Sequence, residues 1–310
     1  MEHELTGPPW LDARLKRGEV VILDGAMGTE LEARGVPMDG KAWSGAAMLE
    51  HANAVRQVHA DYIRAGADVI ITNSFATGRH ALEPAGFGAE VAEINRRAVA
   101  LAREAREEAA DRPVAIAGSI CSWVPVAESG WRAPDRLAAS LAEQAELLAE
   151  AGVDLIALEM CQSAAETHLS LAAAQATGLP VWLGTSCRRR EGPGGLLTTH
   201  DEGTDPDFEA LVADLAGRGP AVMTVMHSPI QDTADGLAAV KRHWSGPLGA
   251  YPESGYFVMP NWQFVDIVAP QDLLAEARQW VAAGAQLIGG CCGLGPDHIR
   301  ALKQGLPEKI

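Results

Sequence analysis

The chain has 310 residues, and its 25 Lys and Arg against 41 Asp and Glu give a formal net charge of −16. Apolar residues make up 47% of the sequence and charged residues 21%, which is enough to fill a sizeable core and excludes a disordered chain. The charge of −16 also argues against nucleic acid or an anionic lipid surface as the main partner, since both carry phosphate groups that would be repelled.

The first residues form an acidic segment that precedes the first predicted strand. We interpret residues 1–18 as an N-terminal extension, whose opening MEHELTGPPW lacks the basic and then apolar pattern of a signal peptide. No apolar run approaches the roughly 20 residues that a membrane-spanning helix needs. We therefore expect a cytoplasmic protein that contacts no membrane.

Short β-branched apolar runs alternate along the chain with longer stretches of helical periodicity. Eight runs have the character of strands: Val20–Asp24, Val69–Asn73, Val114–Ile120, Leu155–Glu159, Val181–Ser186, Val222–His227, Leu248–Tyr251 and Leu287–Gly290. Among the helical stretches, Glu90–Ala110 and Pro134–Ala151 have the clearest spacing of apolar residues three and four apart. Three helices are predicted to end in Ala-Gly, at Gly66, Gly152 and Gly284, where glycine can adopt the left-handed conformation that stops a helix.

Eight strand–helix units without a break in composition predict an α/β fold, a single-domain (β/α)8 TIM barrel over residues 1–310. An open doubly wound sheet is the alternative, but the turn DGAMGTEL after the first strand lacks GxGxxG spacing, and the chain has no GxxxxGK[ST] motif. Three irregular segments follow predicted strands three, five and seven, on the face where such barrels build their active sites. They are Ser122–Ala133, Arg188–Thr204 and Glu253–Pro270.

The five cysteines all fall at the ends of predicted strands. Cys121, Cys161 and Cys187, taken one at a time, fit buried apolar thiols. Cys291 and Cys292 are adjacent within GGCCG, whose glycines would let the chain bend so that both thiols reach one point. Two thiolates at one point indicate a soft metal ion such as zinc. A vicinal disulfide is the alternative, which a reducing cytosol disfavours.

Five motifs occur in a fixed order along the predicted strands. They are Asp24-Gly25-Ala26-Met27-Gly28-Thr29-Glu30-Leu31, Ala65-Gly66-Ala67-Asp68, Thr72-Asn73-Ser74-Phe75, Ala117-Gly118-Ser119-Ile120 and Gly289-Gly290-Cys291-Cys292-Gly293. This ordered set, extending from about Val20 to Leu302, resembles the homocysteine S-methyltransferase family, and the chain length is similar to its shorter, S-methylmethionine-dependent members. The resemblance implies a (β/α)8 barrel that holds zinc through three cysteines, one after the sixth strand and two in the GGCC motif.

Cys291 and Cys292 match the last two zinc ligands that the resemblance implies. At the first ligand position the family motif ends in Asn-Cys, whereas this chain reads Val225-Met226-His227-Ser228. His227 therefore stands where the cysteine is missing, and because imidazole is a good zinc ligand we expect a Cys₂His site. Cys187, on the neighbouring predicted strand, is the alternative third ligand.

The resemblance also implies how the amino-acid substrate is bound. Asp24 and Gly25 match the turn that helps to hold the amino and carboxylate groups of homocysteine, and Glu159 matches the acid that pairs with the amino group. Ser74, in the third motif, is carried over as a further substrate-binding residue. These residue types suit a zwitterion, because its ammonium group needs a carboxylate partner and its carboxylate needs N–H donors.

Two further departures from the family motifs fall where the methyl donor is expected. The family's Gly-Pro-Tyr after the third strand is replaced by Cys121-Ser122-Trp123, and its Tyr-Pro-Asn-Ser-Gly becomes Tyr251-Pro252-Glu253-Ser254-Gly255. Trp123 and Trp262 would offer aromatic faces to an onium cation and Glu253 a counter-charge, so these three are candidate donor-binding residues. Alternatively, the two tryptophans simply pack beneath loops.

Replacing one thiolate by a neutral imidazole changes the charge of the predicted zinc site. With a substrate thiolate bound, a Zn²⁺ site with three cysteines carries −2, whereas the site with two cysteines and His227 carries −1. The less negative site would hold the substrate thiolate more tightly and make it a weaker nucleophile. We therefore expect either a strongly activated methyl donor or a different thiol acceptor.

These observations predict a zinc-dependent S-methyltransferase that moves a methyl group from a sulfonium donor, S-methylmethionine or S-adenosylmethionine, to the thiol of homocysteine, giving methionine. Zinc would activate the thiol, so no residue is predicted to act as a catalytic acid or base, and small-molecule substrates are the expected partners. A same-fold methyltransferase with a different onium donor or a different thiol acceptor is the first alternative. A non-catalytic zinc-binding or amino-acid-binding barrel is the second.

Overall fold

The computed structural model of the chain describes residues 5–124, 130–190, 195–198 and 207–310. Within these ranges the strands are β1 (Val21–Ile22), β2 (Val69–Ile71), β3 (Ala115–Ile120), β4 (Leu155–Cys161), β5 (Val181–Thr185), β6 (Cys187–Arg189), β7 (Leu196–Thr198), β8 (Val222–Pro229), β9 (Leu248–Glu253), β10 (Tyr256–Val258), β11 (Asn261–Gln263) and β12 (Leu287–Ile288). The helices are α1 (Pro9–Lys16), α2 (Met27–Ala33), α3 (Ala47–Glu50), α4 (Ala52–Ala65), α5 (Arg79–Leu82), α6 (Val91–Ala109), α7 (Pro134–Ala151), α8 (Ala164–Ala176), α9 (Phe208–Ala216), α10 (Ile230–His243), α11 (Pro270–Ala282) and α12 (Pro296–Gly305). None of these helices has the length and apolar character required to span a membrane.

Eight of the strands form one parallel sheet that closes on itself. Their order is β1-β12-β9-β8-β5-β4-β3-β2, and a parallel bridge between Leu23 and Val69 joins the two ends of this order. At this seam the N–H of Asp24 donates to the carbonyl of Val69 at 3.0 Å, and the N–H of Asp68 donates to the carbonyl of Ile22 at 2.7 Å. Helices follow the strands around the outside, which confirms the predicted α/β fold, a single-domain (β/α)8 TIM barrel.

Helix α1 fills the N-terminal end of the barrel, and it belongs to the segment that the sequence suggested was an extension. Leu11 and Leu15 of this helix are buried in one cluster with inward-facing strand residues such as Leu287 and Trp182. The indole N–H of Trp182 donates to the carbonyl of Thr6 at 2.6 Å, which fixes the segment before the helix. Because apolar side chains occupy this end, the C-terminal ends of the strands remain for function.

The outer helices turn apolar faces to the strands, as their periodicity predicted. Helix α6 buries side chains three and four residues apart, among them Ile94, Ala98, Leu101 and Ala105. The predicted segment Pro134–Ala151 is α7 without change, and Glu90–Ala110 is one residue shorter at each end. Gly66, Gly152 and Gly284 have φ angles of 115°, 89° and 105°, so the predicted left-handed ends of three helices are confirmed.

Several strands extend beyond their predicted ends at the mouth of the barrel. Strands β4, β8 and β9 continue to Cys161, Pro229 and Glu253, and the register shifts near the ends of β4 and β8. Within these irregular ends, Met160 and His227 have φ angles of 52° and 42°. Side-chain alternation is therefore interrupted where the residues that face the mouth are found.

Two of the segments predicted to be irregular contain short antiparallel hairpins. Strands β6 and β7 pair within the segment after β5, and β10 and β11 pair within the segment after β9. Each of these strands has three residues, which is too short for a periodicity to be visible in the sequence. Residues 125–129, 191–194 and 199–204 of the predicted irregular segments lie outside the described residues.

Candidate metal centre and substrate site

Three side chains of the metal-ligand type converge at the mouth of the barrel. His227 lies near the end of β8, Cys291 and Cys292 follow β12, and their ligand atoms all lie within 4.8 Å of one another. The Sγ of Cys291 is 3.6 Å from Nδ1 of His227 and 3.9 Å from Sγ of Cys292. Two donors on a tetrahedral zinc ion would be about 3.6 Å apart for a nitrogen and a sulfur, and about 3.8 Å apart for two sulfurs. This donor set therefore fits zinc.

The backbone of the GGCCG turn explains how two adjacent thiols reach one site. The N–H of Cys291 donates to the carbonyl of Pro252 at 2.7 Å, and the N–H of Ser254 donates to the carbonyl of Cys292 at 2.9 Å. Gly293 has φ of 79°, and a Cβ at this position would lie 2.0 Å from the carbonyl oxygen of Ser254. Only glycine fits there, and the regular strand β12 has already ended, so the alternation that separates neighbouring side chains does not apply to the pair.

The cysteine pair consists of free thiols, so the vicinal disulfide considered above is not formed. The hydrogen bond with Cys292 lowers the pKa of the Cys291 thiol to about 6, with a further contribution from His227. The same hydrogen bond and burial raise the pKa of the Cys292 thiol. A thiol that ionises readily beside an imidazole has the surroundings expected of a metal ligand or a nucleophile.

A carboxylate lies against the imidazole of the metal group. Glu253, the last residue of β9, places its Oε2 atom 2.7 Å from Nδ1 of His227, and the two side chains are only 16% and 9% exposed. Burial alone would lower the pKa of His227, but the negative charge of Glu253 holds it well above its ordinary value. Glu253, which the sequence suggested as a counter-charge for the donor, thus contacts the histidine of the metal group.

Two buried carboxyl groups accompany the metal group. Asp24 follows β1; its Oδ2 accepts from the N–H of Ile71 at 2.8 Å, and its buried Oδ1 has no hydrogen-bond partner in the described part of the chain. Glu159, in β4, accepts a hydrogen bond from the hydroxyl of Ser119. Burial raises the pKa of Asp24 well above its ordinary value and that of Glu159 to about 7, and the charge of Cys291 acts on both. Buried carboxyl groups that can accept further hydrogen bonds are suited to bind the positively charged group of a substrate.

Gly25 and Ser74 shape the walls of this site through packing. A Cβ at Gly25 would lie 2.2 Å from the carbonyl oxygen of Leu294, so the turn after β1 can approach the turn after β12 only with glycine. Ser74 is fully buried, and its hydroxyl donates to the carbonyl of Ser119 at 2.7 Å and lies 2.7 Å from the hydroxyl of Thr72. Both residues therefore position the backbone around the carboxyl groups.

Four aromatic rings form a wall beside the metal group, and sequence reasoning missed three of them. The ring of Trp262 is 6.1 Å from that of His227, and Phe257 is 6.4 Å from Trp262. Trp43 stands edge-on at 6.3 Å from both Phe257 and Phe75. The rings come from three distant parts of the chain. In the sequence, the one feature that could have pointed to this aromatic wall is the position of Phe75 within the third motif.

Trp123 lies outside the aromatic wall, and three cysteines lie outside the metal group: Cys121, Cys161 and Cys187. The backbone N–H of Trp123 donates to Sγ of Cys121 at 3.3 Å, and within the described residues its ring does not contact the aromatic wall. Burial raises the pKa of Cys161 and of Cys187 to about 12. A Cβ at Gly236, in α10, would lie 2.7 Å from Sγ of Cys187, so this thiol faces the outer helices. The structure brings His227, and not Cys187, to the cysteine pair.

Comparisons with known proteins show the family to which the chain belongs. A family model described as homocysteine S-methyltransferase matches residues 21–306. Homocysteine S-methyltransferase of Escherichia coli (strain K12) is 33% identical over 94% of this chain and 97% of its own length, and homocysteine S-methyltransferase 4 of Zea mays is 30% identical over 94% and 90%. The crystal structure of the metallated form of the homocysteine methyltransferase MmuM from Escherichia coli matches with a TM-score of 0.75 and 29% identity, over 95% of this chain and 99% of that one. This chain is therefore an enzyme of the homocysteine S-methyltransferase family.

Proposed function

We propose that the chain is a zinc-dependent enzyme that transfers a methyl group from a sulfonium compound, S-methylmethionine or S-adenosylmethionine, to the thiol of homocysteine, forming methionine. The observation that carries this proposal is the convergence of His227, Cys291 and Cys292 beside two buried carboxyl groups at the mouth of the barrel. The solved relative in its metallated form supports a metal requirement.

His227, Cys291 and Cys292 are the residues that would hold the zinc ion, through one imidazole nitrogen and two thiolates. When bound, zinc supplies a Lewis acid that favours the ionised form of the acceptor thiol at neutral pH. His227 and Cys292 are buried and Cys291 is partly buried, and this position would keep the acceptor sulfur away from bulk water, which would otherwise solvate the thiolate and weaken it as a nucleophile.

Asp24 and Glu159 would bind the ammonium group of the acceptor amino acid. The unpaired Oδ1 of Asp24 can accept one N–H, and the Glu159 carboxylate is held in place by Ser119. An ammonium ion between them would also relieve the repulsion that their charges exert on one another. These two contacts would orient the amino acid so that its sulfur meets the methyl carbon in line.

The aromatic wall would receive the methyl donor. Trp43, Phe75, Phe257 and Trp262 offer ring faces and edges beside the metal group, and a sulfonium cation is attracted to the faces of such rings. In the transfer, a new bond forms between the acceptor sulfur and the methyl carbon while the bond from that carbon to the sulfonium breaks. The electron pair of the broken bond stays on the departing thioether, which leaves neutral, and the thiol proton goes to solvent. No general acid is required.

A methyl-transfer assay tests the proposal. Isotope-labelled homocysteine is offered to the zinc-loaded protein with S-methylmethionine, S-adenosylmethionine, dimethylsulfoniopropionate or glycine betaine in separate reactions, and labelled methionine is measured by mass spectrometry. We expect labelled methionine with S-methylmethionine or S-adenosylmethionine. Product with glycine betaine alone, or no product from protein that holds zinc, would contradict the proposed substrate pair.

A matched pair of cysteine variants shows whether the product depends on the metal group. Cys291→Ser removes a proposed zinc ligand and should abolish both zinc binding and methionine formation. Cys187→Ser makes the same chemical change at a buried thiol that faces the outer helices, and it should retain both. Equal loss in the two variants would point to a general effect on folding, which a thermal melt detects.

A further inference from the structure

Two hydroxyl side chains continue the pairing of β2 with β3 beyond the end of β2. The backbone register between these strands ends at Ile71, yet the N–H of Ser119 in β3 donates to the hydroxyl of Thr72 at 3.2 Å. The hydroxyl of Ser74 donates to the carbonyl of Ser119 at 2.7 Å. Thr72 and Ser74 therefore hold the backbone of Ser119, whose own hydroxyl donates to Glu159.

Asn73, which lies between these two hydroxyl residues, contacts a different part of the chain. Its Oδ1 accepts from the hydroxyl of Ser44 at 2.9 Å, and its Nδ2 donates to the carbonyl of Ser44 at 2.9 Å. The same Nδ2 lies 3.2 Å from Sδ of Met48 in α3, and all three side chains are buried. One amide side chain thus joins the turn after β2 to the segment that leads into α3.

The residue before Ser44 is Trp43, whose backbone conformation is unfavourable. Its φ is 47°, a left-handed value that a residue with a Cβ keeps only where the surrounding contacts enforce it. Two backbone hydrogen bonds with Asp39, at 2.9 and 3.1 Å, hold Trp43, and Asn73 holds the residue that follows it. The ring held in this way stands 6.3 Å from Phe75 in the aromatic wall.

We propose that Asn73 is a positioning residue for the methyl donor, because it holds Ser44 and so fixes Trp43 in the aromatic wall. This inference rests on the proposed function, which places the donor against that wall. Asn73 differs in this from Ser119, whose hydrogen bond to Glu159 serves the acceptor amino acid. The turn after β2 thus supports the two substrates through different side chains.

Kinetics and calorimetry of Asn73→Ala and Ser119→Ala test this division. With S-methylmethionine or S-adenosylmethionine, whichever the wild type uses, donor KM should rise about tenfold or more in Asn73→Ala, because Trp43 can leave the geometry in which its ring meets the cation. The affinity of the zinc-loaded protein for homocysteine should stay close to the wild-type value. Ser119→Ala should show the opposite pattern. Unchanged donor KM in Asn73→Ala, or an equal loss for both substrates, would overturn the inference.

Amide hydrogen exchange gives a second measurement, which needs no substrate. Asn73→Ala should speed exchange in residues 39–47 by about tenfold or more, because opening of this segment no longer breaks two hydrogen bonds to Ser44. Ser44→Ala removes one of those two bonds and should have a smaller effect on both exchange and donor KM. This variant also serves if Asn73→Ala fails to fold. Unchanged exchange in both variants would overturn the inference.

Asn95→Ala is the matched control. Asn95 is a second completely buried asparagine, and its amide makes three hydrogen bonds, two with Thr77 and one with the carbonyl of Val91. The substitution removes a buried amide of the same kind but no contact with Ser44, so donor KM should keep its wild-type value even where the melting temperature falls. An equal rise of donor KM in Asn95→Ala and Asn73→Ala would show a general effect of a weakened core and would count against Asn73.

The two proposals can fail separately. If methionine forms but donor KM does not respond to Asn73→Ala, the proposed function stands and the role of Asn73 is overturned. If the wild type forms no methionine from either sulfonium compound, the proposed substrate pair is wrong. The exchange measurement then still decides whether Asn73 holds the segment that contains Trp43.

Discussion

Asp24 keeps one buried carboxylate oxygen free while the other holds the backbone of β2 through the N–H of Ile71. We predict that Asp24→Asn preserves the fold, because an asparagine carbonyl can still accept that hydrogen bond. The loss of one charge-assisted hydrogen bond to an ammonium group, about 1.5–3 kcal/mol, should weaken homocysteine binding roughly 10- to 100-fold. Isothermal titration calorimetry on the zinc-loaded protein measures this change.

The chain offers a matched control for this variant. Asp154 accepts a hydrogen bond from the N–H of Ile116 at 2.8 Å, in the same manner as Asp24 does from Ile71, but it lies before β4 at the opposite end of the strands. Asp154→Asn should leave homocysteine binding unchanged. If both variants weaken binding equally, the effect comes from the backbone and not from the free oxygen of Asp24.

The residues of the site show what sequence reasoning can and cannot supply. Motif order led to His227 and the cysteine pair, and the structure brings these three together. The sequence treated His227 and Glu253 as separate departures, one for the metal and one for the donor, although their side chains are in contact. Only the register of β8 and β9 joins them, and register between distant strands cannot be read from a single sequence.

The hairpin β10–β11 is joined to helix α2 by the side chain of Glu32. Glu32, in α2, accepts from the side chain of Asn261 at 2.7 Å and from the backbone N–H of Trp262 at 3.0 Å. These bonds hold Trp262 near His227 and Phe257 near Trp43, while several neighbouring apolar side chains of the hairpin region stay exposed. We therefore expect Glu32 to set the geometry of the aromatic wall.

We predict that Glu32→Ala loosens this hairpin without unfolding the barrel. Loss of two hydrogen bonds to a carboxylate should speed amide hydrogen exchange in residues 256–263 by about tenfold or more, which corresponds to roughly 1.4 kcal/mol. Mass-spectrometric hydrogen exchange measures the change, and the strands of the barrel should keep their protection. Asn261→Ala removes one of the two hydrogen bonds and should have a smaller effect. Unchanged exchange in Glu32→Ala would contradict the role of Glu32 in holding the hairpin.

At the level of elements, the sequence predicted the eight barrel strands and the two longest helices well, because each has its own hydrophobic period. The hairpins were missed, since three-residue strands show no period and exposed residues such as Tyr256 and Val258 carry no burial signal. The role of α1 was missed for a different reason. Its leucines become interior residues only when a barrel closes above them, which is a property of the tertiary fold.

Burial of His59 lowers the free energy of unfolding of the whole molecule. This residue lies in α4 and is completely buried. Neither ring nitrogen has a hydrogen-bond partner among the described residues. Burial lowers the pKa of His59 from 6.5 to about 3, so the folded protein keeps this ring neutral where the unfolded chain protonates it. As the pH falls below 6.5, the unfolded state gains the proton first and the free energy of unfolding declines.

We predict that His59→Leu stabilises the protein, and more so in acid. Removing unpaired polar atoms from an apolar environment should raise the free energy of unfolding by about 1–3 kcal/mol at pH 7.5. At pH 5 the gain should be larger by about 2 kcal/mol, because the variant no longer has a group that the unfolded state protonates. Glu159 opposes this trend in the wild type, since its raised pKa favours the folded state as the pH falls, so the variant must be compared with wild type at each pH. Urea unfolding at both pH values measures the difference, and a gain that is equal at pH 7.5 and pH 5 would contradict the buried neutral ring.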